Sequence, residues 1–333
     1  MGKLGREELQ KLLGCIKKDP RVIVPPRVGY DSGVHLIGDR YVVISTDPCT
    51  GAPKEWFGWL LIHYAASDVA LFGAKPEFCT INLLGPLQTK PQTFQSAMRR
   101  ACGAADELDM AIVTGHTGTY DGFSRLVGVC TAYGTVKPDK LITPGNARHG
   151  DLILFTKTLG LETLINFSLT RKALARKLFG VEEAEKLGQL VPMESCVSEA
   201  LELAGMGWVH AMHDATEGGL VAALNEMAEA SRIGFKVELK KIPISYEAKR
   251  LQETFALSDE KLLSISSTGT IIAAVDPKAK SSVEGKLLRM GLSASFLGAF
   301  TESTDHVLVQ NGKDASFPQV ADDPYNTILS SKV

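Results

Sequence analysis

Five short stretches set a carboxylate or an imidazole beside glycine and small hydroxyl residues. They are Gly29-Tyr30-Asp31-Ser32-Gly33, Ser45-Thr46-Asp47-Pro48, Ala66-Ser67-Asp68-Val69-Ala70, Thr114-Gly115-His116-Thr117-Gly118 and His213-Asp214-Ala215-Thr216-Glu217-Gly218-Gly219. Each falls where a loop is expected to leave or join a regular element. Oxygen ligands of this kind suit magnesium, which keeps waters and completes its octahedron with substrate phosphates. Acids scattered so widely converge only in a fold, so they point to a metal–triphosphate cradle without one contiguous loop. No G-x-x-x-x-G-K-[ST] run occurs, which excludes a P-loop. G-x-S-x-G is absent as well, which removes the usual esterase elbow.

Each stretch also has a plainer reading. Asp68 lies among Tyr64, Ala65, Val69 and Leu71, and an ionised carboxylate in an apolar helix needs a partner. That partner is either a metal or phosphate, or a buried hydrogen bond. The glycines at 115, 118 and 122 let backbone amides approach an anion. A hairpin loop explains those glycines alone, but not His116, Thr117 and Asp121. Asp214 or Thr216 is placed to cap a helix, whose free amides favour an anion. Capping needs neither Gly218 nor Gly219, and glycine in a helix costs on the order of 1 kcal/mol relative to alanine. The pair therefore signals close approach, by a ligand or by a packed strand. The hydroxyl-rich stretch Ser264-Ile265-Ser266-Ser267-Thr268-Gly269-Thr270 either lines the same cleft or is an ordinary turn. His210 and His213 have no third ligand nearby in sequence, so zinc is not expected.

The elements that must position these residues follow from periodicity. A short amphipathic helix is expected over 7–16 and an extended stretch around Pro20, Pro25 and Pro26. A buried strand spans 41–45, with Thr46-Asp47-Pro48 at its end. A helix apolar nearly all round spans 56–72, and Gly73 stops it. A strand at 78–84 precedes an amphipathic helix at 91–108 with Phe94, Met98, Ala101, Cys102 and Ala105 inward. Strands at 111–114 and 126–135 flank a glycine-rich loop at 115–122. Proline and glycine between 137 and 150 mark a linker. Beyond it come a strand at 151–156 and helices near 161–177, 181–190, 194–204 and 217–231. Strands at 234–239, 270–275, 294–300 and 306–310 then alternate with helices at 245–255 and 277–290. The domains are expected at 1–143 and 150–333.

A chain of 333 residues exceeds one typical core, which fits two domains. A net charge of −2 without long charged blocks leaves no basic footprint, so nucleic acid is not an expected partner. The start lacks a signal-peptide stretch, Arg6 argues against a myristoylation signal at Met1-Gly2, and the apolar runs are too short for a bilayer. A cytoplasmic protein without a membrane contact is expected. The six cysteines form no C-x-x-C pair. Cys102 and Cys130 read as buried thiols, and Cys49 as an exposed loop thiol or a packed one.

In order and spacing these motifs resemble the aminoimidazole-ribonucleotide (AIR) synthetase superfamily, also called PurM-like. It includes the purine enzyme, thiamine-monophosphate kinase, selenophosphate synthetase and the hydrogenase maturation protein HypE. Tyr30-Asp31-Ser32-Gly33-Val34 resembles the first acidic motif and Ser45-Thr46-Asp47 the second. Residues 56–76, through Ala66-Ser67-Asp68-Val69-Ala70 to Gly73-Ala74-Lys75-Pro76, resemble the long helix and its closing turn. Residues 212–220 and 224–231 are most similar to HypE.

The resemblance implies an α/β (α+β) two-domain PurM-like fold. The N-terminal sheet domain would form a dimeric β-barrel, and the C-terminal domain would be a layered α/β domain. It implies Mg2+ and ATP as cofactors in the inter-domain cleft and a small-molecule acceptor. Position by position, Asp31, Asp47 and Asp68 would be magnesium ligands. Gly115 and Thr117 would touch phosphates. Thr216, Gly218 and Gly219 join the phosphate-binding set, and His116 and Asp214 are the catalytic candidates. His116 stands where relatives carry an acid, and Glu217 replaces an arginine frequent in HypE. The HypE cysteine tail is missing, since the sequence closes Ser330-Ser331-Lys332-Val333. Two functions follow: an ATP-dependent phosphotransferase or ligase/dehydratase, or a nucleotide-binding regulator or scaffold for a maturation-protein partner.

Overall fold

The structure is a computed structural model that describes residues 4–330. The Met1-Gly2 start and the last three residues of the sequence lie outside the described residues. Leu13–Leu141 form one compact unit, and the remaining described residues, 4–12 and 142–330, form another. The helix α1 (Arg6–Leu13) opens the chain.

The N-terminal unit contains β1 (Val22–Val24), β2 (Ser32–Ile37), β3 (Arg40–Thr50), α2 (Phe57–Leu71), β4 (Phe78–Pro86), α3 (Pro91–Glu107), β5 (Ala111–Tyr120) and β6 (Val127–Val136). They build a six-stranded sheet ordered β1-β2-β3-β6-β4-β5, with open edges at β1 and β5. All neighbours are antiparallel except β4 and β5. Parallel neighbours need a crossover, and α3 supplies it. The helix α2 packs on β3 and β6, and α3 packs on α2. Every residue of α2 except Tyr64 is buried, as its apolar circumference requires.

Three expectations are corrected here. The strand 41–45 runs on to Thr50, so Asp47 sits inside a strand and Cys49 is a packed thiol, 1% exposed. Five consecutive residue pairings with β6, from Thr46 with Thr131 to Thr50 with Val127, hold this extension, despite Pro48. The loop assigned to 115–122 is instead mostly strand, since β5 continues to Tyr120 along β4. Cys102 is exposed, because α3 buries Ala97, Ala101, Ala104 and Ala105. That i, i+4, i+7, i+8 stripe leaves position 102 about 100° off the packed face.

The C-terminal unit contains β7 (Leu152–Thr156), α4 (Leu161–Thr170), α5 (Lys172–Phe179), α6 (Val181–Gly188), α7 (Val197–Gly205), β8 (Val209–Asp214), α8 (Gly219–Ser231), β9 (Gly234–Glu238) and α9 (Tyr246–Thr254). After them come α10 (Asp259–Leu263), β10 (Ile271–Val275), α11 (Lys280–Arg289), β11 (Ala294–Thr301), β12 (His306–Gln310), β13 (Lys313–Ser316) and α12 (Tyr325–Ser330). The sheet order is β13-β12-β9-β11-β7-β10-β8, mixed by one parallel pair, β9 with β12. Every residue of β10 is buried, so both of its faces are covered. Phe155, Phe167, Leu220, Leu224, Met227 and Phe235 form the centre of the core. The expected helix 161–177 breaks at Arg171, whose non-helical ψ of 39° turns the chain from α4 into α5. The short elements α10, β13 and α12 have no counterpart in the periodicity reading. The unit as a whole is the layered α/β arrangement expected of the second domain. Among the described residues no helix is long and apolar enough to cross a membrane.

Candidate functional site

In the N-terminal unit the candidate acids gather around Ser45. Strand periodicity puts Ser45, Asp47 and Cys49 on the β3 face that α2 covers. Asp68 comes down from α2, 4% exposed. Ser45 Oγ lies 2.7 Å from Asp68 Oδ2 and 3.0 Å from the carbonyl oxygen of Asp31. The partner that Asp68 needs is thus partly a hydroxyl across the sheet–helix interface. Ser45 enters its sequence motif only as a neighbour of Asp47, two residues before it on β3. Asp31 precedes β2, whose Ser32 pairs with Ser45 in register. Ser45 thus lies beside both the Asp68 carboxylate and the Asp31 backbone, and Asp47 is two residues along β3 on the same face.

The β5 candidates divide by face. Asp47, Cys130, Ile81 and Gly115 are successive register partners across β3, β6, β4 and β5. Three strand spacings put Gly115 about 14 Å from Asp47. Gly115 has a packing reason of its own: a Cβ there would meet Ile81 O at 2.1 Å. Thr117 pairs with Leu83 and shares that helix-side face. His116 pairs with Asn82 and lies on the opposite, open face. Its Nε2 is 2.5 Å from the Tyr120 hydroxyl. The structure thus does not bring His116 to the acids on the α2 side of the sheet.

In the C-terminal unit β8 ends at Asp214, and a tight turn leads into α8. Asp214 is 3% exposed, and its Oδ1 is a buried oxygen without a hydrogen bond. His213 Nδ1 stands 3.5 Å away, while His213 Nε2 meets Glu226 Oε2 at 3.0 Å. A buried carboxylate oxygen left this way is costly unless a further partner reaches it. Asp214 and Thr216 do not cap α8, because the N-cap is Gly218 and no side chain caps it. Gly218 has φ of 82° and Gly219 of 54°, so glycine suits both conformations. Their close approach is to the chain itself. A Cβ on Gly218 would meet Ala222 Cβ at 2.7 Å and Ala321 Cβ at 2.8 Å, and one on Gly219 would meet Ile265 O at 2.4 Å.

The stretch 264–270 packs against this turn. Ser266 and Thr268 hydroxyls donate to Glu162 Oε2 at 2.8 and 2.5 Å. Burial pushes the Glu162 carboxyl up to about 7, against the pull of those hydroxyls. Glu162 belongs to none of the five stretches, and a lone acid in the first turn of α4 looks like a dipole partner. Behind the stretch, buried Lys157 Nζ donates to Gly269 O, Met193 O and Ser195 O and pairs with Glu199 at 2.6 Å. His210 is tied to Asp151 at 2.9 Å and Arg148 at 3.0 Å, and His213 to Glu226, so the two histidines have separate partners.

Comparison with known proteins agrees with this architecture. Residues 29–136 match the AIR synthase related protein N-terminal domain, and residues 148–311 match its C-terminal domain. A protein of Methanocaldococcus jannaschii named for hydrogenase expression and formation is 29% identical, covering 84% of this chain and 82% of that one. The carbamoyl dehydratase HypE of Bradyrhizobium diazoefficiens is 28% identical, with 85% and 80% covered. The selenide, water dikinase of Carboxydothermus hydrogenoformans is 24% identical, with 92% and 95% covered. Among solved structures, E. coli HypE superposes with a TM-score of 0.73 at 21% identity, covering 97% of this chain and all 100% of that one. A HypE crystallised with ATP gives 0.68 at 18% identity, covering 97% and 98%.

Proposed function

Because the chain belongs to the AIR synthase related protein family, we propose that it is a magnesium- and ATP-dependent enzyme that phosphorylates or activates a small acceptor. The observation that carries this reading is Asp214 Oδ1, a buried carboxylate oxygen without a hydrogen bond at the end of β8. The relatives support it, since one is named a dikinase, another a dehydratase, and a structural neighbour was crystallised with ATP.

The donor set fits magnesium. Asp31, Asp47 and Asp68 offer the hard oxygen atoms it takes, and they would hold it. When bound, the ion would neutralise charge on phosphate oxygens. Ser45 orients Asp68 through its hydroxyl, beside the Asp31 carbonyl. Gly115 and Thr117, with Thr216, would orient phosphate, while Gly218 and Gly219 shape the turn that presents Thr216. Asp214 would accept or orient a proton of the acceptor. Catalysis of this kind is mostly positioning and charge neutralisation.

Homodimerisation belongs to the same proposal. The sheet face turned away from α2 carries Ile44, Val129, Tyr133 and Leu84, all half-buried, and Phe78, 40% exposed. A second copy would cover this apolar face and close a barrel.

A second reading, a nucleotide-binding regulator without turnover, draws on His116. It stands on the sheet face away from the acids, engaged by Tyr120. Calorimetric titration with ATP, with and without magnesium, followed by product analysis, separates the two. Magnesium-dependent binding with ADP or AMP release supports the enzyme. Binding with no turnover in the presence of cell extract supports the regulator. No binding ends both.

A further inference from the structure

Three short helices of the C-terminal unit, α4, α5 and α6, pack pairwise on one another and enclose a cavity of about 300 Å3. The last turn of α4 supplies Ser168 and Leu169, the first two turns of α5 supply Lys172 and Arg176, and the closing half of α6 supplies Glu185, Gly188 and, just beyond it, Gln189. Ser168 is 5% exposed, and its Oγ is buried without a hydrogen bond. A helical hydroxyl commonly bonds back to the carbonyl four residues before it, as Thr170 does to Asn166 O at 2.5 Å. Ser168 does not. The Lys172 ammonium has no ion pair or hydrogen bond among the described residues. Arg176 Nη2 meets Glu185 Oε1 at 3.0 Å, which engages one arm of a guanidinium that carries five N–H groups. Arg171, at the break between α4 and α5, provides no side-chain cap, and its own guanidinium goes to Leu329 O at 3.2 Å. The first-turn amides of α5, at 172, 173 and 174, therefore have no acceptor among the described residues. The nearby helix-end carbonyls are engaged. Phe167 O accepts from the Arg171 amide, Lys186 O from Gln189 and Leu187 O from Leu190.

We propose that this cavity is a binding site for a small phosphate-bearing anion. Its open polar groups are donors: the Ser168 hydroxyl, the Lys172 ammonium, the remaining Arg176 N–H groups and the Gln189 carboxamide. The charged lining is Lys172 and Arg176 against Glu185, a balance of +1, and Glu185 is committed to Arg176. A phosphate monoester brings three strong acceptor oxygens, enough to engage donors from α4, α5 and α6 together, where a carboxylate brings two. Bonds from ammonium and guanidinium groups to such oxygens are short and strong, and the uncapped start of α5 adds its dipole in the same sense. A buried hydroxyl without a partner costs stability, and a phosphate oxygen would receive its proton. Gly188 shapes the wall. A Cβ there would meet Leu169 Cδ2 at 3.2 Å, so glycine lets α6 close on α4 without filling the space between them. The site uses none of the residues assigned above to magnesium and ATP, and it stands whether or not that reading holds.

The test is calorimetric titration of the full chain with inorganic phosphate and with glycerol 3-phosphate, at an ionic strength held constant with sodium chloride. Acetate serves as the carboxylate comparison. Both phosphates should bind saturably, with a Kd on the order of 1 mM or below, and acetate more weakly. Lys172→Ala should weaken phosphate binding at least about fivefold, the loss of one charge-assisted contact, with no change in melting temperature. Ser168→Ala should weaken it as well, while stability stays level or rises because an unpartnered buried hydroxyl is gone. Lys177→Ala, on the same helix but outside the cavity, should bind as the wild type does. Failure of both phosphates to bind saturably overturns the proposal. So does unchanged affinity in either Lys172→Ala or Ser168→Ala, since phosphate held elsewhere, the 215–219 turn included, would not depend on those side chains. A loss in Lys177→Ala equal to that in Lys172→Ala would reduce the effect to general charge attraction and overturn the site. Acetate binding as tightly as phosphate overturns the choice of ligand. Should Ser168→Ala not fold, Arg176→Gln, an exposed change that removes the second cation, takes its place with the same expected loss.

Discussion

Ser45 and Asp68 face each other across the β3–α2 interface, hydroxyl oxygen to carboxylate oxygen at 2.7 Å. They are separated by 23 positions and by a change from strand to helix. The contact explains how a carboxylate is tolerated in the most apolar helix of the N-terminal unit. Ser45→Ala should lower stability by about 2 kcal/mol, the size of a hydrogen bond to a charged group. Urea unfolding would read this, with little change in the slope of the transition. An unchanged midpoint would mean that Asp68 finds its support elsewhere.

Asp68→Asn keeps the shape of the side chain and removes its charge. Magnesium-dependent ATP binding should be lost, while thermal stability stays near or above that of the wild type. Calorimetric titration of this variant is the direct check of the metal assignment, and wild-type affinity would refute it.

Two buried titratable groups should tilt the pH–stability curve in opposite directions. Burial raises Glu162 to about 7 from its ordinary 4.5. Between those values the folded state holds a proton that the unfolded chain has lost. Stability from this group is therefore full below about 4.5 and declines as pH rises to about 7, by on the order of 3 kcal/mol. Glu162→Gln should flatten that decline in chemical unfolding measured from pH 4 to 8, conditions set by the cited shift. A parallel curve for the variant contradicts the assignment.

His63 works the other way. Burial lowers it to about 3 from 6.5, and it stacks on Trp59 with ring centroids 3.7 Å apart. Between those values the unfolded chain binds the extra proton. Stability from His63 is thus complete above about 6.5 and is lost as pH falls towards 3. Replacing His63 by Phe should remove this acid-side loss. NMR titration of the imidazole should show it neutral at pH 5, and a charged ring there would falsify the sign.

Lys157 and Glu199 form an ion pair with side chains only 3% and 6% exposed. Removing one member leaves a buried charge, so Lys157→Met should cost about 3–5 kcal/mol. Adding Glu199→Leu should recover part of that loss, though the carbonyls of Met193, Ser195 and Gly269 lose their donor in both variants. A double variant no more stable than the single one would show that the carbonyls, not the charge, dominate.

Placing a charge on the open sheet face tests the dimer. Val129→Asp should turn a dimer into a monomer in sedimentation equilibrium, without unfolding the N-terminal unit. A wild-type protein that is already monomeric at all concentrations would remove the barrel proposal.

Much of the architecture was legible in the residues alone. The α2 helix announced itself by an apolar run with no polar face, ended by Gly73, and its ends fall within one residue of expectation. The family's motifs, in their order, were readable too, because backbone chemistry forces glycine and acid into fixed local patterns. Asp31, Asp47 and Asp68 could be named as candidates, and Asp214 likewise. Local sequence could not say that residues 115–120 form a strand, since glycine and threonine suit a loop as well; β4 alongside decides it. Nor could it assign faces, because a shift of one residue in register sends His116 to one side of the sheet or the other. Ser45 was legible only as a neighbour of Asp47 in its motif, and Glu162 had no signal of its own. Each is an ordinary residue until the fold places a distant group within hydrogen-bonding reach, and burial then makes that contact decisive. Residue types determined which chemistry was possible; the tertiary structure decided which groups meet, because hydrogen bonds and desolvation act over a few ångströms of space and take no account of distance along the chain.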